Sequence, residues 1–214
     1  MVDELIVRNL GRRDYSSVYE SMHCFTNLRK EDTIDEVWML EHEPVFTQGQ
    51  SGKSEHILSA TTKIPFFQSD RGGQITYHGP GQIIIYFLID LLRKRIGVRD
   101  LVSYLEDIVV STLSYYGIDS KPKLGFPGVY VDDKKVCSLG LRVRRGCSLH
   151  GLALNVDMEL TPFLHINPCG CQGIEMTQVK DLGGPDSIET IKKKIASELI
   201  LILGYDKIIY SVEN

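Results

Sequence analysis

Two segments of the chain hold residue types that can do nucleophilic and proton-transfer chemistry. Asn167-Pro168-Cys169-Gly170-Cys171 mounts a thiol between a proline and a glycine, at a corner where the backbone is tightly constrained. A thiol attacks a carbonyl as thiolate, and a free one titrates at roughly 8.5, so Cys169 needs a cation or base beside it. Lys135 is the candidate: it opens the strand Val136-Cys137-Ser138-Leu139-Gly140. Turned inward, it becomes partly desolvated and can hold a thiolate or carry a proton. The residue types leave three roles for Cys169: nucleophile, inert thiol in a turn, or metal ligand with Cys171 and His165. Metal-binding cysteines prefer two intervening residues rather than one, and the chain has no second such pair. Lys134 and Lys135, behind Asp132-Asp133, also read as a solvated turn, and periodicity does not place Lys135 beside Cys169.

A third segment reads as a binding element. Arg71-Gly72-Gly73-Gln74-Ile75-Thr76-Tyr77-His78-Gly79-Pro80-Gly81-Gln82 is a polar, glycine-rich loop feeding an apolar strand. Such a loop lets backbone approach a ligand closely while a sheet holds it in place. A tight connection between strands explains about two of the glycines, but not why Arg71, Tyr77 and His78 share the loop.

The positioning elements follow from periodicity. Glu4 to Leu10 reads as a strand, and Asp14 caps a helix to about Arg29 with Val18, Met22 and Phe25 inward. Val37 to Leu40 is a short strand, His42 to Gly49 a polar loop, and Ile64 to Gln68 a further strand. Gly81 to Leu92 is a central strand, apolar on both faces as a doubly covered sheet requires. Arg99 to Tyr116 is the clearest helix, with Leu101, Leu105, Ile108, Val109, Thr112 and Leu113 in one stripe and Gly117 as its stop. Val129 to Val131 and Val136 to Val143 form a hairpin, and Cys147 to Asp157 returns beside it. Ser187 caps a helix to Leu203 with Glu189 and Glu198 outward, and Ile208-Ile209-Tyr210 adds an edge strand. This order predicts one α+β (mixed α/β) domain over residues 1–214.

Composition narrows the class. With 214 residues, 43% hydrophobic and 24% charged, the chain is that of a globular domain with a substantial core. A net charge of −4 gives no reason to expect nucleic-acid binding. The N-terminus is acidic and lacks a signal-peptide core, and the run Ile83 to Ile89 is far too short to span a bilayer. A cytoplasmic protein without a membrane partner is expected. Its five cysteines should be reduced, with Cys24, Cys137 and Cys147 as packing residues.

Five separated segments carry a resemblance: Arg71 to Gln82, Gly128-Val129-Tyr130-Val131, Lys135 to Gly140, His150-Gly151-Leu152-Ala153-Leu154-Asn155 and Asn167-Pro168-Cys169-Gly170. In this order they resemble the octanoyltransferase (lipoyl(octanoyl) transferase) family of bacterial lipoate biosynthesis. The resemblance implies the fold of biotin and lipoate protein ligase catalytic domains, a mixed sheet flanked by helices. It implies Cys169 as the acyl-carrying nucleophile and Lys135 as its activating base. Arg71, Gly72, Gly73, Gln74, Ile75, Thr76, Tyr77 and His78 would line the acyl pocket with Ser138, Leu139, Gly140, Gly151, Leu152 and Ala153. Octanoyl-acyl carrier protein would be the donor. The acceptors would be lipoyl domains of 2-oxoacid dehydrogenases and the glycine cleavage H protein. No cofactor or metal is expected.

The implied chemistry suits these residue types. Exchange of one thioester for another is nearly isoenergetic and an amide lies lower, so transfer needs no ATP. A covalent intermediate lets two protein substrates use one pocket in turn. Glycine-rich backbone N–H groups are candidate oxyanion donors. Each buried methylene of the acyl tail contributes roughly 0.8 kcal/mol, and Gly140, Gly151 and Ala153 leave room for it. Arg142, Arg144 and Arg145 either steer acidic partners or form a solvated edge. Three other readings compete: an ATP-dependent lipoate or biotin ligase, a non-catalytic module that binds an acyl carrier or lipoyl domain, and a Cys/His metal protein.

Overall fold

A computed structural model describes residues 3–58, 63–168 and 173–212. Strand β1 (Glu4–Arg13) leads into helix α1 (Tyr15–Leu28), then β2 (Asp35–His42), β3 (Val45–Gln48), β4 (Phe66–Gln68), β5 (Ile75–His78) and β6 (Gln82–Leu88). Helices α2 (Leu91–Lys94) and α3 (Val98–Tyr115) precede β7 (Lys121–Lys123), β8 (Phe126–Val131), β9 (Lys134–Arg144) and β10 (Cys147–Asn155). Helix α4 (Ile188–Leu203) and β11 (Lys207–Val212) follow.

Among the described residues, eight strands form one sheet in the order β11-β1-β2-β6-β10-β9-β8-β7, and β4-β3-β5 form a second. Strand β1 runs parallel to β2 and β11, and the remaining neighbours of the large sheet are antiparallel. The central strand β6 is buried throughout. Ile83, Ile85 and Phe87 meet α3 and α4 on one face. Ile84, Tyr86 and Leu88 meet Val18 and Met22 of α1 on the other. This is the doubly covered strand that its continuous apolar run predicts. A third cluster, with Phe46, Tyr77 and Phe163, joins the small sheet to the turn Thr161–His165.

Local signals account for most boundaries. Asp14 accepts from the N–H groups of Ser16 and Ser17 and starts α1, while Gly117 at φ +77° follows the end of α3. The stripe of α3 from Leu101 to Leu113 is buried as its spacing predicts.

Four expectations are corrected. His42 to Gly49 is not all loop, because Val45 and Phe46 are buried in β3, which pairs with β4 and β5. The second half of the Arg71–His78 segment is a buried strand, β5. Glu198 does not face outward: it is 5% exposed and accepts from Ser111 Oγ of α3 at 2.6 Å. Cys24 is exposed, whereas Cys137 and Cys147 are buried. No helix among the described residues is long and apolar enough to cross a membrane.

Candidate active site

A hairpin places Lys135. Asp132 and Asp133, at φ +46° and +67°, form the two-residue turn from β8 to β9, whose left-handed backbone suits asparagine, aspartate or glycine. Cys137 pairs with Val129 but Lys135 with Tyr130, a one-residue slip that makes a bulge at Val136. Because side chains alternate along a strand, the slip turns Lys135 to the face of Tyr130, Gly128 and Ser138 rather than that of Cys137. Its Nζ lies 5.3 Å from the Tyr130 ring centroid, and the residue is fully buried. The solvated-turn alternative therefore fails for Lys135, although Lys134, half-exposed beside Glu175, fits it.

The chain beyond Cys169 clamps this lysine. Lys135 N–H donates to the Glu175 carbonyl at 2.8 Å, and Thr177 N–H donates to the Lys135 carbonyl at 2.9 Å. Asn155 Nδ2 donates to the Thr177 carbonyl, Gln82 Nε2 to Asn155 Oδ1, and His78 Nδ1 to Gln82 Oε1, at 2.8–2.9 Å. His78 Nε2 accepts from the Thr47 hydroxyl at 3.2 Å. His78, Gln82 and Asn155 thus form a buried frame rather than a reacting group. Burial, then the nearby His42 and Arg71, keep His78 well below the usual histidine range and hence neutral.

The glycine-rich segment lies over β9. Gly72 N–H donates to the Leu141 carbonyl at 2.8 Å, which removes it from the candidate oxyanion donors. Arg71 is 9% exposed and anchors the segment by donating to the Thr47 carbonyl at 2.6 Å and its hydroxyl at 2.8 Å. A narrow cavity runs beneath. Arg71, Gly73, Gln74, Ile75, Thr76 and His78 line it from above, and Ser138, Leu139, Gly140, Gly151, Leu152 and Ala153 from β9 and β10. A neighbouring groove bounded by Val98, Val102, Phe126 and Lys135 shares Gly73, Gln74, Leu139 and Gly140 with it, and includes Gly72. The cavity and the groove that Lys135 lines therefore share one wall.

Of the expected lining, Tyr77 falls outside, its ring packed on Phe46 and Phe163. Tyr15 and Tyr86 line the cavity without having been expected to. A hydroxyl within the apolar run of β6 was a signal for Tyr86, whereas Tyr15, at the start of a helix, offered none. His150 also lines the cavity, 1% exposed, at φ +62°, with Nε2 donating to Asp70 at 2.8 Å. His23 joins them in a cluster of metal-ligand type, but Arg142, 4.0 Å from Asp70, already supplies positive charge there.

Cys169 and Cys171 lie outside the described residues, so the second half of the expected catalytic pair is not described. Cys137 is no substitute, since burial pushes its thiol up to about 12.

The lipoyl protein ligase A/B catalytic domain family matches residues 17–200. The chain is 58% identical over 213 residues to the octanoyltransferase of Vibrio vulnificus, covering 100% of this chain and 97% of the relative. It belongs to the octanoyltransferase family. The fold is wider than the family. A bipartite lipoate protein ligase from Thermoplasma acidophilum superposes with a TM-score of 0.76 at 15% identity, over 100% of this chain and 87% of that one. A biotin protein ligase from Aquifex aeolicus does so at 0.58 and 13%, over 93% and 70%. The mixed sheet flanked by helices, expected from the resemblance, is the fold observed.

Proposed function

We propose that the chain moves an octanoyl group from octanoyl-acyl carrier protein, through a thioester on Cys169, to a lysine of a lipoyl domain. Family membership makes it an acyltransferase of protein lipoylation, and the roles of Cys169 and Lys135 belong to the proposal. One observation carries it: Lys135 is fully buried at the groove that shares a wall with the cavity, and is hydrogen-bonded to a segment a few residues beyond Cys169. Asn167 and Pro168, before Cys169, line a separate surface depression together with Gly173, Ile174 and Glu175 after it. Both ends of the segment carrying the thiol therefore approach the residues that clamp Lys135.

In the resting pair the thiol proton sits on Lys135 and the sulfur is thiolate. The Cys169 thiolate adds to the donor thioester carbonyl. The carrier thiolate leaves and takes the proton of the Lys135 ammonium. The neutral amine of the acceptor lysine then adds to the Cys169 thioester and gives its surplus proton to Lys135. Cys169 leaves as thiolate, and the pair is restored. Octanoyl lies in the cavity, over Ser138 and Ala153. The acceptors are lipoyl domains of 2-oxoacid dehydrogenases and the glycine cleavage H protein, and Arg142, Arg144 and Arg145 face these acidic partners.

The test is the intact mass of the protein after incubation with octanoyl-acyl carrier protein and no ATP. An octanoyl gain in the wild type, lost in Cys169→Ser and discharged by a lipoyl domain, is expected. Transfer that requires ATP and free octanoate, or an adduct that survives in Cys169→Ser, would overturn the assignment.

A further inference from the structure

Glu106 of α3 occupies a position the reaction above does not use. It follows Val98 and Val102 at four-residue spacing, so it continues along the helix the face that walls the groove to Lys135. Its Oε1 accepts from the N–H of Gly128 at 2.9 Å. The same glycine also abuts the lysine. A Cβ on Gly128 would stand 2.5 Å from Cε and 3.2 Å from Nζ of Lys135. One glycine, at φ +139°, thus separates a carboxylate from a buried ammonium. A short polar side chain would clash here, and so would any other, which accounts for the glycine in Gly128-Val129-Tyr130-Val131.

We propose that Glu106 is a positioning residue that, through Gly128, fixes Lys135 in the groove and holds it as an ammonium, the form that stabilises a thiolate. The proposal rests on the role given above to Lys135. Charged and titratable groups among the described residues surround the lysine from several elements. Helix α3 contributes Glu106 and, behind it, Asp107. Strand β8 contributes the Tyr130 ring, over which Lys123 of β7 also lies, at 5.8 Å. Lys135's own strand contributes Cys137 and the exposed Lys134, and the returning segment contributes Glu175, paired to Lys134 at 2.9 Å. Among these carboxylates, Glu175 is matched by Lys134 and Glu106 is bonded to the glycine that touches Lys135. Burial raises the Glu106 carboxyl, while the Gly128 hydrogen bond and the Lys135 charge pull it down.

The experiment is an NMR titration of the full chain with isotopically labelled lysine and glutamate side chains. Lys135 is assigned by the signal missing in Lys135→Met. Glu106→Gln keeps an acceptor for Gly128 N–H and removes the charge. The Lys135 midpoint should then fall by about one pH unit, the effect of losing one close opposite charge. Reciprocally, the Glu106 carboxyl should titrate higher in Lys135→Met, because linkage between two sites acts both ways. A merely structural contact would leave both midpoints in place. If neither moves, the proposal is overturned, and the Lys135→Met arm decides it should Glu106→Gln fail to fold. Octanoyl loading of the same wild-type sample separates the two readings. Shifted midpoints without an acyl adduct would sink the proposed function and leave the pair standing, and an adduct with fixed midpoints would do the reverse.

Discussion

A Cβ on Gly151 would stand 2.0 Å from the carbonyl oxygen of Ile85 and 2.8 Å from the Phe87 ring. Gly151 therefore lets β10 close on β6 directly after the left-handed His150, while the residue also lines the cavity. Gly140 has a related role, since a Cβ there would lie 3.0 Å from the Gly72 carbonyl and hold the glycine-rich segment off the sheet.

Gly151→Ala is accordingly a stability variant. Overpacking of this kind costs about 1–3 kcal/mol, or about 3–10 °C in melting temperature for a chain of this length. The enzyme that survives should keep its acyl-chain preference. Thermal unfolding and a chain-length series check both halves, and a shortened preference without loss of stability would restore the earlier reading.

Ala153 is the better gate. It pairs with Ser138 and Ile84 in the strand register and lines the cavity. Ala153→Leu should favour shorter acyl donors, with octanoyl losing about fourfold in kcat/KM per displaced methylene relative to hexanoyl. Equal losses for both lengths would mean that the tail does not pass Ala153.

Lys135→Met keeps the apolar stem and removes the proton carrier. Acyl-enzyme formation should slow by about 10²–10⁴-fold, the usual range for losing a general acid–base group. Rapid-quench mass spectrometry reads the rate. A change below tenfold would remove Lys135 from the mechanism.

Stability should fall in mild acid because of His42. Fully buried, with Nδ1 donating to the Arg13 carbonyl and Nε2 accepting from Tyr86, it is pulled by burial from 6.5 to about 4. Below about pH 6.5 the unfolded chain gains a proton there that the folded chain refuses until about pH 4. The stability present at neutral pH is therefore lost across that window, by about 3 kcal/mol from this residue. Urea midpoints of wild type and His42→Gln between pH 7 and 4 measure it, and the variant should show the shallower slope.

Asp35 ties distant parts of the chain together. It has no exposed surface, pairs with Arg29 and with Arg93 at 2.7 Å, and accepts from Asp90 N–H and Tyr205 Oη. Asp35→Ala leaves two cations beside an empty site and should cost about 3–5 kcal/mol, visible as a drop of about 10 °C or more. Activity per folded molecule should remain.

Much of this was legible before any coordinates. The spacing of Leu101, Leu105, Ile108, Val109, Thr112 and Leu113 selects one helical face, and the unbroken Ile83–Leu88 run demands cover on both sides, because periodicity and burial are local properties of a sequence. Val45 and Phe46 were missed as a strand because a pair of apolar residues between polar ones has no period, and β3 exists through its partners β4 and β5. Glu198 looked solvent-facing by composition, yet α3 lies against it.

The chain alone determined its family, its class of element and the residue types available for acyl transfer, since these are written in order and spacing. Only the tertiary structure decided which way Lys135 turns, that Gly128 lies between it and the Glu106 hydrogen bond, and that Gly151 lets β10 close on β6. Each of these depends on a bulge or on a contact between strands and helices far apart in sequence. The distance between such groups is set by how the sheet pairs, which no local pattern encodes.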